Sequence, residues 1–566
     1  MYVLGLWDGH DSGAALLEGD KILFAANEER YTKRKLEVRF PYNSISEALK
    51  FAGLKPSDIE VVSFPTTELT KTISRVFPWQ KESYYMFRRR KTAKPRFESL
   101  MHYTKYAMTS IGPLPLCGFV SRAAVRAELR RMGFSNFKLH TIDHHAAHAA
   151  TAAFTSGMNR SLVITLDGLG DGLSGSVSTF RKGRLRRERM ISARNSLGVF
   201  FEQVTNIIGM RELEDEGKVM AMADYSFPFP FSKNKLGDFF TVNGTDIKAK
   251  YGMISQYDML ARIAWQTPRE QFAYMAQQLL ERVVTQFVRN AMEEFGADSV
   301  ALAGGVFSNV KANMMVRELP ELRGWYVFPH MGDGGIALGA AMQANYALNG
   351  ISSYGFGDAY LGNGYESDYI RGLLRKERGI KFEEWDDPAC GAAALMEKDE
   401  YVFWFQGRME YGPRALGNRS IVARADSETV KERLNMHVKQ REWYQPFAPS
   451  VLVEDAARCL YFRKAGSSRF MTMAYRVHGS AAEQMRSAMH VDRTARPQVL
   501  GQENQKYRKL IEAVKEDTGY GVVLNTSLNI HGMPIVASPE GALRTMKATR
   551  TRHMFIGDYH VENTKL

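Results

Sequence analysis

The chain has only three cysteines, Cys117, Cys390 and Cys459. They are odd in number and far apart, so they make neither a disulfide framework nor a Cys-x-x-Cys metal knuckle. No apolar run approaches the roughly 18 residues a membrane helix requires. Low-complexity tracts are missing, and proline (19) is scarce beside glycine (47). Membrane-spanning and disordered classes are therefore excluded. The opening MYVLGLWDGHDSG reaches Asp8 before a signal-peptide core could form, which makes the cytoplasm the expected compartment. Acidic residues are also in short supply, 62 against 75 Lys+Arg, giving a net charge of +13. The 566 residues suffice for three to four domain-sized units at about 150 residues each.

The excess charge is concentrated. Residues 71–140 hold 15 Lys+Arg and 3 acids, a net of +12. Phe77, Trp79, Tyr84, Tyr85, Phe87, Phe97, Tyr103 and Tyr106 are interleaved with the charges of this segment's first half. That mixture neutralises phosphates and stacks on bases; it also suits a helical cap with a solvated basic face. Arg88, Arg89, Arg90 and Lys91 form its densest run.

Two stretches read alike. YVLGLWDGHDSGAALLEGDKILF and, from 161, SLVITLDGLGDGLSGSVSTFRKGRL each predict an apolar strand ending in Asp-Gly, a second strand, a tight turn and a third strand. Asp8 and Asp167 hold equivalent places at the strand tips. A duplicated strand-hairpin unit with an aspartate at the tip is similar to the layout of the actin, hexokinase and Hsp70 ATPase superfamily. Between the two copies, TIDHHAAHAATAAF predicts a helix capped by Asp143. His144 and His148, four apart, project from one helical face and can meet a single ion, while His145 points elsewhere. Carboxylates should complete the shell: Asp167, and Asp333 in FPHMGDGGIALGAAM, where a strand runs into a Gly-rich turn. Such a donor set suits Fe or another first-row divalent ion better than Ca or Mg, and zinc accepts the same ligand types. At Gly304 and Gly305 another strand meets a helix, so backbone N–H groups there are expected to approach a phosphate or an adenosine.

After about residue 350 the Gly-, Ser- and Tyr-rich run GISSYGFGDAYLGNGYES predicts a linker, giving domains at 1–350 and 351–566. The second is dense in cationic strings: GRMEYGPRALGNRS with Arg408, Arg414 and Arg419, VKQREWYQPFAPS with Lys439 and Arg441, HVDRTARPQ with His490, Asp492 and Arg496, and VVLNTSLNIHG with Asn525, Ser527 and Asn529. Arginines and lysines converging with Ser and Asn are one way to grip a triphosphate without a Walker loop.

These strings, with HHAAH, DGLGDG and GDGGIALGAA, closely resemble the signatures of the NodU/CmcH/TobZ-type O-carbamoyltransferases. The resemblance covers essentially the whole chain. It implies an α/β protein with an α+β C-terminal part: a duplicated actin/hexokinase-like ATPase-fold, TsaD-like domain holding Fe(II) or another divalent metal, followed by a YrdC-like domain. The latter would use ATP, with Mg, and carbamoyl phosphate to make carbamoyl adenylate, and the first domain would pass the carbamoyl group to an acceptor hydroxyl. Carried over by motif, His144, His148, Asp167 and Asp333 are metal ligands, Asp11 and Asp224 lie near the acceptor hydroxyl, and Arg414, Lys439, Arg441, Arg496, Asn525 and Ser527 line the adenylate-forming site. Gln445 and His531 stand where the family usually has arginine. The charge of residues 71–140 points to a nucleic-acid acceptor, most directly a hydroxymethylated pyrimidine flipped from DNA; the alternatives are a small natural product or sugar, and a TsaD-type modification of tRNA.

Overall fold

Because Gly19 adopts φ 56°, a left-handed turn at which a side chain would be strained, the first apolar segments fold back on one another directly. β1 (Tyr2–Trp7), β2 (Gly13–Glu18) and β3 (Lys21–Asn27) form an antiparallel meander. β4 (Val61–Pro65) and β5 (Lys138–Ile142) then add in parallel beside β1, for the order β3-β2-β1-β4-β5. The computed structural model describes residues 1–90, 104, 106–462 and 468–565.

A second meander follows: β6 (Arg160–Gly170), β7 (Leu173–Arg181) and β8 (Arg184–Ser192). After a small hairpin, β9 (Phe240–Asn243) and β10 (Asp246–Ala249), come β11 (Ser299–Ala303) and β12 (Gly324–Val327), which extend the sheet in parallel from the side of β6. The order is β12-β11-β6-β7-β8. Each sheet thus reads third, second, first, fourth, fifth in its own strand count.

The helix Ile336–Asn349 packs on β1 and on the helix His144–Thr155. Glycines set both distances. A Cβ at Gly5 would lie 2.0 Å from the Ala337 carbonyl oxygen, and one at Gly339 2.0 Å from that of Ala147. With the backbones this close, the turn that starts the first helix, Asp333–Gly335, sits beside the histidines of the second.

The chain divides into two compact units, one of Met1–Glu28 with Leu36–Phe356, the other of Glu29–Lys35 with Gly357–Leu566. Residues 29–35 therefore depart from a simple division in chain order, near 350, because their partners lie far downstream: Arg30 donates to the Gly412 carbonyl at 2.6 Å and the Tyr31 hydroxyl to Asn363 Oδ1 at 2.5 Å. The second unit's strands span Ile380–Glu384 (β13), Val402–Phe405 (β14), Arg419–Arg424 (β15), Ala448–Leu452 (β16), Tyr475–Arg476 (β17), Thr494–Ala495 (β18), Gln498–Leu500 (β19), Val522–Ser527 (β20), His553–Ile556 (β21) and Tyr559–Asn563 (β22). Eight of them form one mixed sheet in the order β13-β22-β21-β14-β15-β20-β16-β19, and β17 pairs separately with β18. Trp404, Tyr507, Phe555 and Ala389, Ala392 and Ala393 of the helix Pro388–Glu397 lie in the core of this unit.

Candidate functional site

In the first unit, Asp143 caps the helix His144–Thr155, accepting the Ala146 N–H at 2.8 Å. The 3.6-residue period then puts His144 and His148 one turn apart on a buried face, their ring centroids 4.8 Å apart. Asp167 reaches them because the β6–β7 ladder breaks between Leu166 and Gly170, an irregularity that re-aims the side chains within it. His144 Nε2 is 3.2 Å from Asp167 Oδ2 and 3.5 Å from Asp333 Oδ1; His148 Nε2 is 3.8 and 3.5 Å from the same two atoms. Ligand atoms of all four residues lie within 4.8 Å of one another.

This donor set passes a simple test as a metal site. His148 Nε2 is buried with no hydrogen-bond partner among the described residues, as expected of a nitrogen whose lone pair is kept for a cation, and two imidazoles with two carboxylates suit a divalent transition ion. The neighbours hold the donors still. His144 Nδ1 lies 3.2 Å from Thr66 Oγ1, and the Asp171 carboxylate accepts the His144 N–H at 2.9 Å. Asp167 Oδ1 accepts the Gly305 N–H at 2.6 Å. Burial would lower the His144 imidazole, but Asp333 and Asp167 overcome it and raise the group to about 9. His145 faces away, 2.9 Å from Thr165 Oγ1, and desolvation followed by repulsion from His144 and His148 pushes it down to about 3.

The two aspartates expected near the acceptor have different surroundings. Asp11, at φ 59°, is 3.7 Å from His330 Nε2, and a Cβ on Gly334, the residue after Asp333, would lie 2.2 Å from its Oδ2. Asp224 ends the helix Glu216–Ala223 and is ion-paired with Lys311. Sequence reasoning passed over His10, whose Nε2 is 3.5 Å from Asp333 Oδ2. Its place in the loop after β1 was the available signal. Gly304 and Gly305 correct an expectation: their N–H groups are used internally, donating to the Met331 carbonyl and to Asp167, so neither is offered to a phosphate.

Asp8, read from the sequence as the equivalent of Asp167, instead anchors two cations. It accepts from Arg75 Nε and Nη2 at 2.8 Å each and from Lys81 Nζ at 3.4 Å, while Lys71 Nζ sits 4.1 Å from the Trp7 ring centroid. Burial alone would push the Asp8 carboxyl up; Arg75 and Lys81 overcome this and hold it well below the usual carboxylate range. Removing one member of a buried pair leaves the others uncompensated. Asp8→Asn is therefore expected to cost about 3–5 kcal/mol of stability, read as a lower midpoint in denaturant unfolding.

The same contacts narrow the reading of residues 71–140 as a nucleic-acid face. Lys71, Arg75 and Lys81 turn inward onto Trp7 and Asp8, and Tyr85 and Tyr106 are buried, so these five do not lie on an outward face of the kind that tracks a nucleic-acid backbone. Trp79 and Phe77 remain exposed. Lys91 lies outside the described residues, as do the side chains of Arg88, Arg89 and Arg90 at the end of the helix Pro78–Arg90.

In the second unit the cationic strings separate into two roles. Arg419 is fully buried and donates to the carbonyls of Gln406, Gly407, Asn418 and Asn363; Arg408 donates to those of Gly362 and Leu361. Both fasten loops. Glu410 Oε1 accepts three backbone N–H groups, from Leu416, Asn418 and Arg419, closing the loop that carries Arg414. Lys439 ends a π-helical turn, Leu434–Lys439, and donates to Asn529 Oδ1 at 2.8 Å and to Ser527. Arg441 donates to Asn435 Oδ1 at 3.0 Å and lies 4.0 Å from the Phe447 ring centroid. Asn525 donates to Ser450 Oγ at 3.0 Å, and its buried Oδ1 has no partner among the described residues.

Arg414, Lys439, Arg441 and Arg496 have no carboxylate partner among the described residues. Desolvation and then repulsion from Arg414 and Arg441 hold Arg496 well below its ordinary value, and desolvation lowers Arg414 and Arg441 to about 10. Cations gathered without counter-charge are costly unless an anion completes them.

Fold and sites together define an α/β protein with a buried His/Asp centre in one unit and a group of cations without carboxylate partners among the described residues in the other. The family model described as "Carbamoyltransferase N-terminus" matches residues 2–342, and "Carbamoyltransferase C-terminus" matches 393–563. An uncharacterized protein of Methanocaldococcus jannaschii is 30% identical over 98% of both chains, and nodulation protein NolNO of Sinorhizobium fredii 29% identical over 98% of this chain and 79% of its own. The 3'-hydroxymethylcephem-O-carbamoyltransferase of Streptomyces clavuligerus is 31% identical over 50% of this chain and 52% of its own. The chain belongs to the carbamoyltransferase family, in the NodU/CmcH-type group, and is an O-carbamoyltransferase.

Proposed function

We propose that the second unit makes carbamoyl adenylate from ATP and carbamoyl phosphate, and that the first unit transfers the carbamoyl group to an alcohol hydroxyl. The observation that carries this reading is the cluster of Arg414, Lys439, Arg441 and Arg496 without a carboxylate, a charge match for a triphosphate and a phosphorylated co-substrate. There water hydrolyses carbamoyl phosphate to carbamate and inorganic phosphate, a carbamate oxygen attacks the α-phosphorus of Mg-ATP, and pyrophosphate leaves. The cations stabilise the charge that develops on the phosphate oxygens.

In the first unit, His144, His148, Asp167 and Asp333 would hold a divalent ion, Fe(II) or another transition metal, which when bound supplies Lewis acidity towards the carbamoyl oxygen. The acceptor oxygen forms a bond to the carbamoyl carbon as the bond to the AMP phosphate breaks. Asp11, beside the turn that carries Asp333, is the carboxylate suited to take the hydroxyl proton, and Lys311 fixes Asp224 as a second acceptor contact. The matching strand orders of the two five-stranded sheets support a duplicated ATPase-like plan here, and the second unit's motifs support a YrdC-like one.

As acceptor we favour a small hydroxymethyl compound: two relatives are named for 3'-hydroxymethylcephem, and the inward-turned Lys71, Arg75 and Lys81 subtract from the charge that argued for DNA. Incubation with ATP, carbamoyl phosphate and a panel of hydroxymethyl compounds, sugars and hydroxymethylated DNA tests the scheme. Pyrophosphate release that depends on carbamoyl phosphate, with an acceptor mass gain of about 43 Da, is expected. ATP cleavage indifferent to carbamoyl phosphate would overturn it, and transfer to DNA alone would reverse the choice of acceptor.

A further inference from the structure

Lys71 differs from its neighbours in having no hydrogen-bond acceptor among the described residues. Arg75 is satisfied by Asp8 and by the carbonyls of Thr66 and Pro65, and Lys81 by the carboxylate and carbonyl of Asp8. No hydrogen bond or ion pair joins the Lys71 ammonium to any described residue. It lies over the Trp7 ring, so close to the turn after β1 that a Cβ on Gly9 would be 2.3 Å from Nζ. The indole on which it rests meets the His144 ring edge-on, with centroids 6.1 Å apart. His10, the residue after Gly9, reaches Asp333. Asp8 and Asp333 both act on the ammonium electrostatically, yet desolvation outweighs them and holds it below its ordinary range. A half-buried ammonium with no acceptor among the described residues loses part of its hydration without compensation. An incoming anion relieves that cost.

We propose that Lys71 is a phosphate-binding residue of the transfer site, its ammonium taking an oxygen of the 5'-phosphate ester of the adenylate donor. The inference rests on the reading of His144, His148, Asp167 and Asp333 as the metal centre of transfer. It adds to that reading a cation from a segment otherwise taken for solvated surface or nucleic-acid contact. Phosphate is the fitting group because a single tetrahedral anion can present one oxygen to an ion at the four-ligand centre and another to the ammonium. After transfer the leaving group is AMP, so Lys71 also stabilises the charge that appears as the carbamoyl–oxygen bond breaks.

The test uses the full chain loaded with Mn(II) and AMP as the probe, followed by phosphorus NMR, in which relaxation enhancement reports a phosphate near the ion. Asp333→Ala, which removes a ligand, serves as the blank. The unmodified chain is expected to give saturable enhancement. Lys71→Met should bind the same amount of Mn(II) but titrate with AMP at least ~10-fold more weakly, as expected when one charge-assisted hydrogen bond is removed. Lys71→Arg should restore most of the affinity, and carbamoyl-phosphate-dependent pyrophosphate release should be unaltered in both. An unchanged AMP titration in Lys71→Met overturns the assignment of Lys71 alone. Loss of Mn(II) binding in Lys71→Met also overturns it, in favour of a structural role. No enhancement in the unmodified, Mn(II)-loaded chain overturns the metal-centre reading itself, and the inference with it.

Discussion

His148→Ala is expected to abolish carbamoyl transfer while leaving carbamoyl-phosphate-dependent pyrophosphate release nearly untouched. On the proposed scheme the two activities separate because their residues lie in different units: the His/Asp cluster in the first, the cations without carboxylate partners among the described residues in the second. His148 is the sharpest choice because its Nε2 has no hydrogen-bond partner to lose, so alanine removes a ligand without stranding a neighbour. Lewis-acid stabilisation of several kcal/mol is at stake, equivalent to a roughly thousand-fold or greater fall in transfer. Bound metal should fall in parallel, measured by elemental analysis of the purified variant, and Asp333→Ala should behave alike. Loss of pyrophosphate release equal to the loss of transfer would contradict the division of labour. Retention of both metal and transfer would contradict the ligand assignment.

The second large effect is the reverse. Arg496→Ala should cut adenylate formation by roughly 10- to 100-fold for each charge-assisted hydrogen bond to phosphate that the guanidinium makes, without lowering bound metal. It should also make the ligand-free chain slightly more resistant to heat. Arg496 is desolvated and repelled by Arg414 and Arg441, so the free protein carries a strain that only an anion relieves, and alanine removes it. A rise in melting temperature with a collapse of adenylation distinguishes a binding cation from a structural one. For Arg419, whose guanidinium is consumed by four carbonyls, substitution should instead lower the melting temperature. Wild-type adenylation by Arg496→Ala would remove that residue from the site.

Much of the His/Asp cluster could be read from the sequence because short-range rules generate it. A four-residue spacing on a capped helix aligns His144 with His148, and carboxylates at a strand tip and at a Gly-rich turn are where such folds present ligands. Asp8 and Asp167 look interchangeable by that logic, yet only one joins the cluster. The difference lies in the helices Leu69–Val76 and Pro78–Arg90, which bring Arg75 and Lys81 onto Asp8, and no local pattern encodes a contact 67 residues away. The same blindness made inward cations look like a basic surface. It also hid the distinction between Arg414, which has no carboxylate partner, and Arg408 and Arg419, which tie loops down, because a guanidinium's role depends on which carbonyls the tertiary fold brings within its reach.

The excursion of Glu29–Lys35 into the second unit has a consequence for the order in which the protein is made. Tyr31 and Arg30 emerge from the ribosome more than 300 residues ahead of Asn363 and Gly412, the groups they bind. At about 5–20 residues per second, those side chains wait on the order of a minute or less while the intervening chain is synthesised. The second unit cannot mature as an independent C-terminal piece. Its late-made loops close onto a segment laid down at the start of synthesis, so a chain severed after Phe356 yields two fragments, neither of which holds all the residues of the second unit.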